Sequence, residues 1–389
     1  MATTSERAHK HYIMVSGGKE TDVSSPPTRD IALRMTDNAD LSPGTPVVHY
    51  RDSESGRRSW SSEGAPLPIR MEWTKQYTDQ ADDSNVGLLG VFAASGEAAG
   101  GVARIGATSV YIQDVEGPAG VAGAASNIKG FALEDVGSPG AEDDALNRLV
   151  HNVFPESVEI SGSSGGPIMI SSPLRGGGLT AAIGGAPTTP AYFRNRIFRF
   201  SDMALISNLT TGNAAINVTG FTTAPTSAGF LADTQLVVAG AVDLTPMCKA
   251  IKLTIDNPVN LNDSYQPGNY DANYYGVVPP LGFVRAGHSV QIEARFLLGE
   301  TNTKLFYAEW KAKTQRGIEL WLKHPQAIES GAYVGCRMSL PIADMIAYVP
   351  SPDGLGPKYV TCTWRAVDDG TNRSWRYIAA GTYTTAMTA

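Results

Sequence analysis

The sequence is poor in the residues that build cofactor, metal and redox sites. Its 389 residues include only three cysteines and six histidines. An odd number of scattered cysteines predicts neither a disulfide framework nor a zinc site, so we interpret Cys248, Cys336 and Cys362 as small buried residues. The chain also lacks an apolar run of about 18 residues and a basic-then-apolar start. We therefore expect a globular protein without a membrane span, an export leader or a cofactor.

Basic residues are also fewer than acidic ones, 31 Lys and Arg against 38 Asp and Glu. The formal net charge is −7, and the basic side chains form no long stripe along the sequence. The densest basic group, Arg51, Arg57 and Arg58, has the setting of a solvated hairpin tip. A protein that binds by neutralising phosphates needs a cationic face, so we expect this chain to repel DNA on average.

Short alternating runs bounded by Gly, Pro, Asn and Asp dominate the chain, which predicts a mainly β protein. The clearest alternation covers Lys249 to Ile255 and Ser289 to Leu297, where apolar residues occupy every second position. A helix is predicted from Thr301 or Asn302 to about Lys313, because its apolar residues recur at three- and four-residue spacings. Residues 143–150 could form a second, short helix.

The segment SGSSGGP at 161–167 has the appearance of a trypsin-like nucleophile motif centred on Ser164. Such an enzyme needs a histidine base and an acid, for which His49 and Asp114 are the best candidates that the chain offers. Ser163 stands where these enzymes usually carry aspartate. Glycine pairs also form tight turns, and we favour the turn over a catalytic serine.

Metal-site patterns are weak. His9 and His11 form an H-x-H pair without an acidic or cysteine partner nearby, and we interpret them as part of a flexible terminus. Asp79, Asp82 and Asp83 lack the glycine and the closing glutamate of a calcium loop. We predict no metal site and no catalytic residues.

The order of segments between residues 247 and 380 carries a resemblance. It reads CKAIKLTIDNPV, a long loop rich in Asn, Pro, Gly and Tyr, then VQIEARFLL, LFYAEW, GIELWL, CRMSLPIADM, SPDGLGP and YVTCTWRAVDD. This order resembles the tail tube proteins of long-tailed bacteriophages. PTRDIALRMTDNADL and PIRMEWTKQYTDQADDSNVGLLGVF resemble the opening half of the same family, so the resemblance covers about 30–95 and about 245–380.

The resemblance implies a β-sandwich tail-tube fold with a flanking short helix. We expect an N-terminal arm (1–30), a first half of the sandwich (31–95), an inserted, loop-rich β domain on the exterior (96–240) and a second half of the sandwich (241–389). The insert is assigned because residues 96–240 are rich in Gly, Ala, Ser and Thr and match nothing in the family.

In the family, six copies form a ring, and rings stack head to tail into a hollow tube that conducts viral DNA. The partners that this implies are identical copies, a tape measure protein, a terminator and a baseplate or distal tail protein, with DNA passing without being bound. The location would be the virion tail, assembled in the host cytoplasm. A decoration protein, an adhesin and an effector tube of a contractile secretion system remain alternatives.

Two groups of residues are candidates for roles in a tube. The long loop between residues 256 and 280 and the N-terminal arm would contact the neighbouring ring, because aromatic side chains favour interfaces. Outward-pointing carboxylates on strong strands would face the lumen and repel DNA. The inter-ring candidates are Tyr265, Tyr270, Tyr274 and Tyr275, and the lumen candidates are Glu293 and Glu319.

Overall fold

The protein is known from a computed structural model. It describes residues 12–20, 25, 27–33, 47–51, 59–63, 69–76, 97–98, 103–104, 107–116, 127–128, 130–136, 148–176, 178–181, 197–208, 242–256, 259–260, 270–271, 276–277, 283–285, 289–299, 301–327, 329, 331–351, 358–368 and 374–381.

These residues are mainly β, as the sequence predicts. The strands before residue 200 are β1 (Tyr12–Lys19), β2 (Arg29–Leu33), β3 (Val47–Arg51), β4 (Ser59–Glu63), β5 (Ile69–Gln76), β6 (Glu97–Ala98), β7 (Ala103–Arg104), β8 (Tyr111–Glu116), β9 (Asn127–Ile128), β10 (Phe131–Val136), β11 (Arg148–Pro155), β12 (Ser157–Ser163), β13 (Met169–Gly176) and β14 (Gly178–Ala181). The later strands are β15 (Met203–Asn208), β16 (Val242–Asp243), β17 (Cys248–Asp256), β18 (Val259–Asn260), β19 (Tyr270–Asp271), β20 (Gly276–Val277), β21 (Phe283–Arg285), β22 (Ser289–Leu297), β23 (Arg316–Lys323), β24 (Gly335–Ser351), β25 (Tyr359–Ala366) and β26 (Arg376–Gly381). The helix α1 (Thr301–Ala312) confirms the predicted helix, and two 3₁₀ turns cover Phe200–Asp202 and Thr245–Met247.

Antiparallel pairing arranges most strands in three rows. The main row has the order β5–β13–β12–β17–β22–β25–β24. The second row has the order β16–β15–β23–β24–β26–β8, with β6 and β7 on the far side of β8. The side row has the order β2–β1–β10–β11–β14 and joins β13 through the end of β11. Three short pairings, β3–β4, β19–β20 and β18–β21–β9, lie outside the rows.

Strand β24 belongs to both the main and the second row. Its first half pairs with β23 and β26, whereas Ala343 to Ser351 pair with β25. The alternating runs of the sequence predict two strands here, Arg337 to Pro341 and Asp344 to Val349, but the two runs form one strand. Pro341 falls where the register with β23 shifts, and proline is tolerated at such bulges.

One core lies beneath the rows. Alternate residues of the central strands are buried in it, among them Ile251, Leu253, Ile292 and Val360. Helix α1 contributes Phe306, whose ring centroid lies 5.3 Å from that of Phe296 and 5.8 Å from that of Trp364, a residue of β25. At roughly 25 cal/mol per Å² of apolar area, large side chains of this kind supply most of the stabilisation.

The expected exterior insert is not a separate domain. Strands β12 and β13 come from residues 96–240, yet β12 pairs with β17 over seven positions and β13 pairs with β5 over eight. Although residues 96–240 are rich in small residues, they include short apolar runs whose side chains are buried, such as Val158 and Ile160. The strands that these runs form are part of the main row.

Three local predictions are also corrected. Residues 12–19 of the expected N-terminal arm form β1, which pairs with both β2 and β10. Residues 148–150 of the expected second helix belong to β11, because pairing with β10 and β14 outweighs a short helical pattern. Residues 197–200, expected as a strand, form only an isolated bridge and enter a 3₁₀ turn. Among the described residues no helix has the length and apolar character to cross a membrane.

Candidate functional site

The main row has one buried face and one open face. Along β12, β17, β22 and β25, buried residues alternate with half-buried or exposed ones. The alternation arises because successive side chains of a strand point to opposite sides of the sheet. We call the second side the open face; it carries Glu159, Lys252, Glu293, Thr363 and Val349.

The open face carries both signs of charge; two of its cations have local partners, and a third, Arg365, is exposed. Lys252 Nζ lies 2.6 Å from Glu159 Oε2 on the neighbouring strand. The guanidinium of Arg295 lies 4.2 Å from the ring centroid of Tyr359, within cation–π distance. Glu293, a predicted lumen candidate, is exposed on this face. The face therefore presents no uninterrupted cationic track along the strands that the structure describes.

The outward orientation predicted for Glu319 is wrong. Glu319 is 0% exposed and forms an ion pair with Arg337 on the neighbouring strand, while its Oε2 accepts a hydrogen bond of 3.2 Å from Trp321 Nε1. The Arg337 guanidinium also lies 4.8 Å from the Trp321 ring centroid. Alternation along β23 predicts one exposed face, but every residue of β23 is buried, and Trp321 beside Glu319 belongs to the core. A side chain buried in this way cannot face a lumen, so Glu293 alone of the two candidates is exposed.

The two ends of the main row are strands that pair on one side. Within the described residues, β5 pairs only with β13, and Met345 to Ser351 of β24 pair only with β25. Pro350 is in keeping with such a position, since proline is confined to edge strands and bulges. Unpaired strand edges are templates for another strand.

An aromatic patch adjoins the free end of β24. Tyr307 and Trp310 of α1 lie one helical turn apart, and their ring centroids are 5.5 Å and 6.3 Å from that of Tyr348. Ile346 and Val349 on the same part of β24 are 41% and 57% exposed. The sequence shows Tyr307 and Trp310 at i and i+3, a spacing that could have identified them as a surface pair.

The glycine-rich part of SGSSGGP forms the turn that the sequence favours, at residues 164–166, directly after β12. Gly165 has φ of +86°, a conformation that glycine adopts without strain, and Gly166 N donates to Ser163 O at 2.9 Å. Ser164 is exposed, and its backbone N–H donates to Lys249 O at 2.9 Å. The side chains of His49, on β3, and Asp114, on β8, lie outside the described residues.

A cleft of about 1020 Å³ lies beside this turn. Gly165 and Gly166 line it, together with Arg199, Asp202 and His324, whereas Ser164 does not. Two of its polar side chains accept hydrogen bonds from nearby backbone: Asp202 Oδ2 from Arg199 N at 2.8 Å, and His324 Nδ1 from Gln326 N at 3.2 Å. These bonds fix the loops that form the cleft.

A buried acid–histidine pair holds the side row together. His151 Nδ1 lies 2.5 Å from Glu20 Oε1, and Glu20 Oε2 accepts a hydrogen bond of 2.6 Å from Asn152 N. Asn152 has φ of 51°, within the left-handed region that asparagine tolerates better than most residues, at the point where β10 and β11 shift register. The carboxylate therefore supports a bulge, which is a structural role.

Burial shifts the pKa of several ionisable groups. It raises the pKa of Glu309 on α1, against the opposing effect of Arg316, with which Glu309 forms an ion pair. Burial also raises the pKa of the Cys248 thiol to about 12 and that of Cys362 to about 12. Since Cys336 is buried too, all three cysteines match the sequence interpretation.

Most of the inter-ring candidates lie beyond what the structure describes. Tyr265, Tyr274 and Tyr275 are outside the described residues, as are His9 and His11. Tyr270 begins β19 and pairs with Val277 in a two-stranded ladder, but its side chain is not described. No group of three or more His, Cys, Asp or Glu side chains suited to a metal ion occurs in the described part of the chain.

Comparison of the chain with protein-family models and with curated proteins finds no match.

Proposed function

We propose that this protein is a structural subunit of a bacteriophage tail tube, in which identical copies form rings that stack into a DNA-conducting channel. The main row carries the proposal, because it combines a buried face, an open polar face and two ends with unpaired edges among the described residues. Joining such rows edge to edge closes a barrel and removes the edges that would otherwise promote aggregation.

In this proposal the main and second rows are the two layers of a β-sandwich. Strand β24 passes from one layer to the other, and residues of both layers contribute to the same core. Helix α1 flanks the sandwich next to the end of β24 and fills the core with Phe306. The open face of the main row lines the channel.

The charge pattern of the open face suits a conduit. DNA is retained by cations that displace counterions from its phosphates. Here Lys252 is paired with Glu159, Arg295 lies over Tyr359, and the exposed Glu293 offsets the exposed Arg365. The chain as a whole carries a formal charge of −7. The duplex would therefore slide along a face that does not hold it. The function is architectural and needs no catalytic group.

Electron microscopy tests this function directly. We expect negatively stained samples of the concentrated full-length protein to contain stacked rings or long tubes. A decoration protein or an adhesin would give separate particles without a channel. If the protein stays a single chain at high concentration, the proposed function is wrong.

A further inference from the structure

The width of the main row constrains how many copies can form a ring. This inference rests on the proposed function, and it concerns the number of subunits around the channel. The row contains seven strands in one unbroken series of pairings from β5 to β24. In a closed barrel the diameter grows almost linearly with the number of strands.

The strand count favours three copies. With strands ~4.8 Å apart and tilted by ~40°, three rows of seven close at a diameter of roughly 42 Å between backbones. Side chains on the inner face take up about 5 Å on each side, which leaves a bore of roughly 32 Å. Duplex DNA, whose grooves are ~8 Å deep, is on the order of 20 Å across. One duplex with its hydration layer fits this bore.

Six copies would make a much wider channel. Six rows of seven strands close at roughly 84 Å, a bore that could hold several duplexes side by side. No wall residue would then keep a single duplex near the axis. From this geometry we infer that the ring contains three chains, each of which supplies seven wall strands, in place of the six chains that the family resemblance implies.

The strand directions fix the kind of joint between copies. All pairings within the row are antiparallel, so the first and the last of seven strands run in the same direction. Rotation about the ring axis preserves that direction. The end of β24 in one copy therefore meets β5 of the next as a parallel pair, which is a heterologous contact that closes into a ring.

The two edges are matched in length. Strand β5 has eight residues, and the part of β24 from Met345 to Ser351 has seven. The aromatic patch on α1 lies next to this joint, since Trp310 stacks on Tyr348 of the same stretch of β24 and the tilted ring of Tyr307 also contacts Tyr348. The first strand of the neighbouring copy would lie beside Ile346 and Val349, which are exposed in the single chain, and would leave the open-face side chain of Val349 toward the channel.

The number of chains per ring, measured on the unmodified full-length protein, tests this inference. We expect end-on electron micrographs with threefold symmetry, a backbone wall of roughly 42 Å, and a chemical cross-linking series that ends at three chains per ring. Rings or tubes with any other number of chains would overturn this inference and leave the proposed function intact. If no rings form, the proposed function fails, and the inference fails with it.

Paired cysteines test the direction of the joint. Arg70→Cys or Thr74→Cys on β5 is combined in turn with Ala347→Cys, Val349→Cys or Ser351→Cys on β24, all at positions whose register places them on the open face. In a parallel joint, the β24 position that links best to Thr74→Cys of the next copy should lie nearer Ser351 than the position that links best to Arg70→Cys, because both strands run the same way. The opposite order of the two preferred partners would overturn the parallel joint.

Discussion

At the scale of single residues, the ion pair of Glu319 and Arg337 places two charges in the buried interior of the second row. Both side chains are almost fully buried, at 0% and 1% exposure. Removing two charges from water is costly, and their attraction offsets this cost only when hydrogen bonds satisfy the remaining polar atoms. Trp321 contributes to that environment, because it donates to Glu319 and its ring lies against Arg337.

Breaking this pair should be strongly destabilising. We expect Arg337→Met to lower the free energy of unfolding by about 3–5 kcal/mol, because the Glu319 carboxylate stays buried without its cation. Urea unfolding followed by tryptophan fluorescence measures the change. The control Glu293→Gln removes an exposed carboxylate and should change stability by less than about 0.5 kcal/mol. If the two substitutions changed the free energy of unfolding equally, the buried ion pair would contribute no more to stability than an exposed carboxylate.

The cysteines should be inert in the folded protein. The pKa of Cys248 and of Cys362 is raised to about 12 by burial, so at pH 8 almost no thiolate is available to react. A thiol reagent should label the native protein slowly and all three cysteines at once after unfolding. The control Val349→Cys places a thiol at a position that is 57% exposed, and one group per chain should then react quickly. Fast labelling of the unsubstituted native protein would contradict the burial.

At the scale of elements, alternation predicts the strands of the main row well. Ser289–Leu297 is predicted with the bounds that β22 has, and the strands on either side of SPDGLGP pair with each other. Helix α1 is predicted because its apolar spacing differs from the period of two that surrounds it. Local pattern is sufficient in these elements because each has one buried and one open face.

The second row shows where such prediction fails. Alternation assigns residues to the two faces of a strand, but it does not tell whether both faces are covered. Alternation therefore predicts an outward Glu319, although all of β23 is buried. The buried Arg337 was missed for the same reason. The pairing of β12 with β17 joins residues about ninety positions apart, and such contacts leave no local signal.

Contact between β23 and β24 depends on a glycine. A Cβ atom at Gly335 would overlap the backbone carbonyl of Leu322. We expect Gly335→Ala to destabilise the protein by roughly 1–3 kcal/mol, because the two strands must separate to admit one methyl group. The control Gly166→Ala places a Cβ 3.4 Å from Ser163 O, which is ordinary contact, and should cost less. Thermal unfolding of both variants measures the difference, and a neutral Gly335→Ala would mean that the backbones can move apart freely.

At the scale of the whole molecule, assembly turns the open face from a surface of one chain into the wall of a channel. A single Glu293 has little influence on DNA, since an isolated exposed charge is screened within about 8–10 Å at physiological salt. Copies of Glu293 repeated around each ring and along the tube would form a continuous negative lining. Its effect on DNA should therefore appear only in the assembled state.

Charge reversal at Glu293 tests whether this face lines the channel. Glu293→Lys replaces the exposed carboxylate between Lys252 and Thr363 with a cation in every copy, so the lining gains groups that release counterions from phosphates. We expect tubes of this variant to retain linear duplex DNA at low salt and to release it steeply as salt rises, whereas unsubstituted tubes retain little.

Co-sedimentation of tubes with DNA across a salt series measures the amount of DNA retained. Glu329→Lys makes the same charge change outside the main row and should leave retention unchanged. If both variants retain DNA equally, the binding lies on the outer surface, and the open face of the main row does not line the channel.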